Sequence, residues 1–129
     1  MSDPNSSFED ASVAAILAKR SRADRTALLD ELVMVLSEIV PGVKVERALL
    51  RRHVTALHLP VGGYVYVLKR NNESFDAIRQ QEVRGVVVRT VPMEIDAFLA
   101  ELGLALDVEL RRTDKGREAL RGWLNSEGA

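Results

Sequence analysis

Cysteine is absent from the chain, histidine occurs only twice, and aromatic residues make up 5% of it. The lack of cysteine excludes a disulfide framework, a thiol nucleophile and zinc sites of the cysteine type. The two histidines, His53 and His58, would point to opposite faces of a strand or lie about 140° apart around a helix, so they do not meet in one site. The sequence therefore predicts no metal centre.

Long apolar runs are also missing, and the longest uncharged ones span only a few residues, such as Val86–Val88. The first residues, Met1–Asn5, have neither the basic segment nor the apolar core that a signal peptide requires. We therefore expect no membrane span, no membrane partner and a cytoplasmic location. The 129 residues, with a formal net charge of −1, correspond to one domain, which we place at residues 8–126 after a disordered tail at residues 1–7.

Motifs that support catalysis are likewise missing. No serine lies in a Gly-x-Ser-x-Gly turn, and the chain has no glycine-rich phosphate loop. The paired acids Glu94 and Asp96, and Asp107 and Glu109, are predicted to be solvated residues of helices. We expect no catalytic residues and no cofactor, and we interpret the chain as a non-catalytic binding or adaptor domain that acts through protein–protein contact.

Apolar residues spaced three to four apart predict the N-terminal helices. A short helix is expected from Phe8 to Lys19, and a longer one from Ala27 to Val40, where Pro41 and Gly42 end it. After the second helix the period of the apolar residues changes to two, which is typical of strands.

The alternating segments predict an antiparallel meander, because the turns between them are short. The segments are Val43–Glu46, His53–Leu59, Tyr64–Arg70 and Phe75–Val91, the last with a break near Gln80 and Gln81. Turns are expected at Pro60–Gly63 and Asn71–Ser74. Residues Glu46–Leu57 also have apolar positions at helical spacing, so strand and helix stay open there.

Helical spacing returns after Pro92, which we expect to close the sheet and to open a helix. Six apolar positions from Ile95 to Leu110 fit the helical period, with Gly103 inside one helix; the alternative is a helix that ends at Gly103 and a strand over Leu104–Leu110. Thr113 and Asp114 predict the cap of a last helix, which runs through Leu124. A helix, a meander of three to five strands and two helices packed on the sheet make an α+β fold.

The string Thr113–Leu120 resembles the start of the helix that follows the wing in winged-helix transcription regulators. That family places a two-stranded wing directly before this helix and a recognition helix before the wing. Residues 93–112 are predicted to be helical here, which departs from the family pattern. The resemblance covers these eight residues, and the whole chain resembles no family.

Positive charge is concentrated in the middle of the chain. Residues 44–89 carry nine basic and four acidic residues, whereas residues 1–43 and 90–129 each have a net charge of −3. Either the acidic helices neutralise a basic sheet, or the basic residues bind an anion or a nucleic acid, with bases stacked on Tyr64 and Tyr66. The residues that would carry this alternative function are Arg51, Arg52, Lys69, Arg70, Arg84 and Arg89.

Consecutive valines, Val86–Val88, point to both faces of their strand. Such a strand needs cover on both sides, either from helices or from a second subunit. Helices on one side only would leave one valine face exposed, which is unusual for a monomer. We therefore expect a homodimer whose interface is the sheet or its flanking helices.

Overall fold

The computed structural model describes residues 13–23, 25–48, 54–71 and 74–128. The predicted tail at residues 1–7, and Arg51, Arg52 and His53, lie outside these ranges. The elements in chain order are α1 (Val13–Ala23), α2 (Arg25–Leu36), β1 (Lys44–Arg47), β2 (Val54–Val61), β3 (Tyr64–Asn71), β4 (Ser74–Val83), β5 (Val86–Met93), α3 (Ile95–Arg111) and α4 (Asp114–Gly128).

The five strands form one sheet in which each strand pairs antiparallel with the next along the chain. β1 and β5 are therefore its two edges. The predicted α+β class is confirmed: helices at both ends of the chain pack on an antiparallel meander. For the segment Glu46–Leu57 the sequence leaves strand and helix open. Its described ends are strands: Glu46 and Arg47 belong to β1, and Val54–Leu57 belong to β2.

The core lies between the helices and one side of the sheet. Leu57 and Leu59 of β2 are the cross-strand partners of Leu68 and Tyr66 of β3, so these four side chains point to the same side. All four belong to one buried cluster that also contains apolar residues of every helix named above. We call this side of the sheet the helix side and the opposite side the second side.

The second side carries both polar and apolar residues. Lys69 is the cross-strand partner of Ala56, and Val67 is the partner of His58. Ala56 of β2 and Val67 of β3 are buried, although they do not belong to the core cluster. All four helices named above contribute to the cluster on the helix side, so the described helices cover that side of the sheet.

Several predicted boundaries are wrong, since α1 ends at Ala23 rather than Lys19 and α4 at Gly128 rather than Leu124. Helix α2 ends at Leu36 rather than Val40, because the N–H groups of Ile39 and Val40 both donate to the Leu36 carbonyl in a closing turn. Pro60 lies in β2 and Pro92 in β5, not in a turn or at a helix start. Both positions suit proline, since β5 is an edge strand and Pro60 lies beyond the residues that pair with β1.

Helix α3 runs unbroken through Gly103, so the single-helix interpretation is confirmed. Gly103 is buried against α1, where an added Cβ would lie 2.3 Å from the Cα of Ala14. The predicted cap of α4 is also confirmed, because the backbone N–H of Gly116 donates to Oγ1 of Thr113 at 2.9 Å.

The chain passes from α3 into α4 through a short turn, so no two-stranded wing precedes Thr113–Leu120. The likeness to winged-helix regulators is therefore limited to the capped start of α4. Within the described ranges, no helix has both the length and the apolar character needed to cross a bilayer.

Candidate functional site

The β4–β5 hairpin extends beyond the part of the sheet that the helices cover. Every residue from 81 to 90 is exposed, whereas most positions in the middle of β2 and β3 are buried. Four valines lie in this stretch: Val83 is 51% exposed, Val86 62%, Val87 44% and Val88 57%. Apolar surface is thus gathered on one projecting hairpin.

A two-residue turn at Arg84 and Gly85 joins the two strands. Both residues have positive φ, 54° and 81°, which is the backbone of a type I′ turn and matches the twist of a hairpin. The break predicted near Gln80 and Gln81 is wrong, because both residues lie within β4. The register instead shifts between Gln81 and Glu82, and such a bulge increases the local twist.

The two edges of the sheet differ in length and chemistry. β1 has four residues, of which Lys44, Glu46 and Arg47 are charged and exposed. β5 has eight residues and is mostly apolar, with Arg89 as its one charged residue. Short, charged edges discourage pairing with another chain, and long apolar edges favour it. β5 is the edge that is open to a further strand.

A polar network attaches the base of the hairpin to helix α3. The Arg79 guanidinium donates through Nη1 to both carboxylate oxygens of Glu101, at 2.6 and 2.8 Å. The Tyr66 hydroxyl donates to Oε2 of Glu101 at 3.0 Å. The ring of Tyr66 packs edge-to-face against Phe98, and Arg79 lies 4.7 Å from the ring centroid of Tyr64. Charge-assisted bonds of this kind hold β3 and β4 against the helix layer.

Burial raises the pKa of Tyr66 to about 12, and the hydrogen bond to Glu101 adds to this rise. The same carboxylate raises the pKa of Arg79 above its usual range.

Tyr64 and Tyr66 share one face, as predicted, with ring centroids 6.3 Å apart. Tyr66 is only 3% exposed and packs under Phe98, so of the two rings only Tyr64, at 36%, remains accessible to a base.

The basic residues singled out from the sequence do not share one face. Lys69 points to the second side, and its neighbour Arg70 points to the helix side. Arg89 also lies on the helix side, but the register places it about 20 Å along the sheet from Arg70. Arg84 lies in the hairpin turn. The four described residues are therefore scattered, while Arg51 and Arg52 lie outside the described residues.

A small cleft lies on the second side, with a volume of about 160 Å³. Lys44, His58, Gln80 and Glu82 line it. Nε2 of His58 lies 3.1 Å from Oε2 of Glu46, and this contact lowers the pKa of the Glu46 carboxyl. The cleft is smaller than most ligand pockets, and its charges are mixed.

An apolar groove of about 390 Å³ runs between α2 and α4, lined chiefly by Met34, Val35 and Trp123. Nε1 of Trp123 donates to Oε1 of Glu31 at 2.8 Å across it. Met34 is 76% exposed, whereas Trp123 is buried. The groove therefore lies within the helix layer, between α2 and α4.

Metal ligands do not converge in the part of the chain that the structure describes: no group of three or more His, Asp or Glu is placed to hold an ion. No family model, curated protein or solved structure matches the chain. The hairpin is therefore interpreted from its own geometry.

Two groups at the hairpin were missed by the sequence reasoning. Arg84 and Gly85 form the turn, and the dipeptide of a polar residue and glycine between valines was a signal for it. Glu94 and Asp96 lie at the other end of β5 and were interpreted only as solvated acids. These two acids and Arg84 mark opposite ends of β5, and the sequence shows this separation only once the position of the turn is known.

Proposed function

We propose that this chain is a non-catalytic protein-binding domain whose binding surface is the β4–β5 hairpin and the free edge of β5. The observation that carries the proposal is the exposure of Val83, Val86, Val87 and Val88, between 44% and 62%, on an edge hairpin. Monomeric soluble proteins rarely expose such clustered apolar surface unless a partner covers it.

The mode of binding that fits this edge is strand addition. An extended segment of the partner would hydrogen-bond to the free backbone groups of β5, and alternate side chains would contact the two faces. Val87 and Thr90 point to the second side and Arg89 to the helix side, so a partner strand meets both apolar and basic neighbours. Pro92 has no backbone N–H, so Val86–Val91 is the stretch that proline does not interrupt.

A homodimer is one form of this function, because each copy offers its own β5 edge. The alternative function, nucleic-acid binding through the basic middle of the chain, receives no support from the placement of Lys69, Arg70, Arg84 and Arg89. A shift assay at low salt with single-stranded RNA, single-stranded DNA and duplex DNA distinguishes the two functions.

Photocrosslinking tests the proposed surface. A benzophenone amino acid replaces Val87 in the chain expressed in cells, and the matched control carries it at Arg121, an exposed position on α4. Illumination should give a protein adduct, either a second copy of the chain or another protein, from position 87 and not from position 121. Equal adducts at both positions, or none at either, would overturn the surface.

The non-catalytic part of the proposal has its own test. The purified chain is incubated with panels of metabolites and hydrolase substrates, and no turnover is expected. Turnover that survives repurification to constant specific activity would contradict this part of the proposal.

A further inference from the structure

The two ends of β5 carry opposite charges. Arg84 lies in the turn at one end, and Glu94 and Asp96 lie at the other end, where the chain enters α3. All three side chains are exposed. None of them forms an ion pair with a residue in the described ranges, whereas Asp107 of α3 pairs with Arg111 and Asp114 of α4 pairs with Arg117.

Charge of this kind is self-complementary under a two-fold axis. If two β5 strands run antiparallel about an axis near their midpoint, the turn of each copy lies beside the α3 entry of the other. Arg84 and Glu94 are ten residues apart, and the midpoint between them is Arg89, close to the centre of Val86–Met93. A parallel pairing would instead bring the two arginines together and the two acidic ends together.

We infer that the strand added to β5 is the β5 strand of a second copy, antiparallel, with Arg84 of each copy facing Glu94 and Asp96 of the other. The inference rests on the proposed function and names its partner. The two sheets join into one continuous sheet of ten strands, and the axis keeps both helix layers on the same side of it. About that axis Val87 and Val88 of each copy lie beside Val91 and Thr90 of the other, so the joint covers part of the exposed valine surface.

The other edge of the sheet does not offer this arrangement. β1 has only four residues, and its exposed Lys44, Glu46 and Arg47 alternate in sign over that short length. A second copy at β1 would gain few backbone hydrogen bonds and would bury charged groups. The apolar edge and the separated charges occur together only at β5.

Charge reversal tests the orientation. The wild-type chain, Arg84→Glu, the pair Glu94→Lys with Asp96→Lys, and the triple variant are compared by sedimentation equilibrium at low salt. Each reversal should weaken dimerisation about tenfold, because two facing pairs change from attraction to repulsion. The triple variant should recover to within about threefold of the wild type, since both pairs are restored with opposite sign.

Added salt should weaken the wild-type dimer. It should strengthen the dimers of Arg84→Glu and of the pair Glu94→Lys with Asp96→Lys, in which like charges face each other. Melting curves of all four proteins confirm that they are folded.

A matched pair of substitutions, Val88→Lys and Leu104→Lys, tests the edge itself. The side chains of Val88 and Leu104 are 57% and 65% exposed. Val88→Lys should abolish dimerisation, and Leu104→Lys, on α3, should leave it unchanged.

The outcomes separate this inference from the proposed function. A wild-type mass near 14.3 kDa at 100 micromolar, together with an adduct to another protein at position 87, would overturn the second copy as partner and leave the binding function standing. A monomer without any adduct overturns both. A dimer in which the triple variant is no stronger than the single reversals overturns the antiparallel orientation.

Discussion

Gly103 and Gly122 are both helical glycines, yet a methyl group at the two positions should have opposite effects. At Gly103 an added Cβ would lie 2.3 Å from the backbone of Ala14, so α1 and α3 would have to move apart. At Gly122 nothing lies within 4 Å of the added Cβ. We expect Gly103→Ala to lower the free energy of unfolding by about 1–3 kcal/mol, as overpacking does.

Gly122→Ala is the control for helix propensity, and it should raise the free energy of unfolding by up to about 1 kcal/mol. Urea denaturation at constant pH measures both changes. A shift of the same sign in both variants would contradict the close contact of α1 with α3, because propensity alone would then account for Gly103.

The hairpin turn is the element that places the valines, and its backbone is demanding. Gly85 has φ of 81°, where alanine is strained, and Arg84 has φ of 54°, where asparagine is better tolerated than arginine. We expect Gly85→Ala to destabilise the fold by about 1 kcal/mol and Arg84→Asn to stabilise it by about 0.5 kcal/mol. Unfolding is followed at low protein concentration, where association contributes little.

The two substitutions also differ in their effect on association. In the proposed dimer Arg84 faces the acidic residues of the second copy, so Arg84→Asn should stabilise the single chain while it weakens association. Stabilisation by Gly85→Ala would contradict the positive φ of Gly85.

At the scale of the whole molecule, the hydrogen bond from Tyr66 to Glu101 joins the sheet to the helix layer. We expect the free energy of unfolding to fall at alkaline pH because of Tyr66. The pKa of Tyr66 is raised to about 12 in the folded chain from 10.0. Below pH 10 the hydroxyl is protonated in both states, and its contribution is complete. Between about pH 10 and 12 the unfolded chain ionises first, so stability falls, by up to about 2 kcal/mol.

Tyr66→Phe should remove this alkaline loss, at a cost of about 1 kcal/mol at neutral pH for the missing hydrogen bond. Tyr64→Phe, on the same strand, should retain the loss because Tyr66 is still present. The measurement is the difference in unfolding free energy between wild type and variant at pH 9 and pH 11.5. An equal alkaline loss in wild type and Tyr66→Phe would argue against the buried hydroxyl.

Local signals in the sequence were sufficient for most of the fold. The helical period from Ile95 to Leu110 outweighed the glycine inside it, and Thr113 capped α4 as its side chain predicts. Short turns between alternating segments predicted antiparallel neighbours. Such features depend on bonds between residues close in the chain, so the residues themselves carry the information.

Tertiary structure alone decided which surfaces are free. The alternation of residues along β3 predicts that Tyr64 and Tyr66 share a face. The position of α3 determines that Tyr66 is buried and bonded to Glu101 while Tyr64 stays accessible. The valines of the hairpin are likewise exposed because every residue from 81 to 90 lies beyond the part of the sheet that the helices cover. Periodicity fixes relations within one element, whereas burial depends on which distant element packs against it, and that contact is absent from any local pattern.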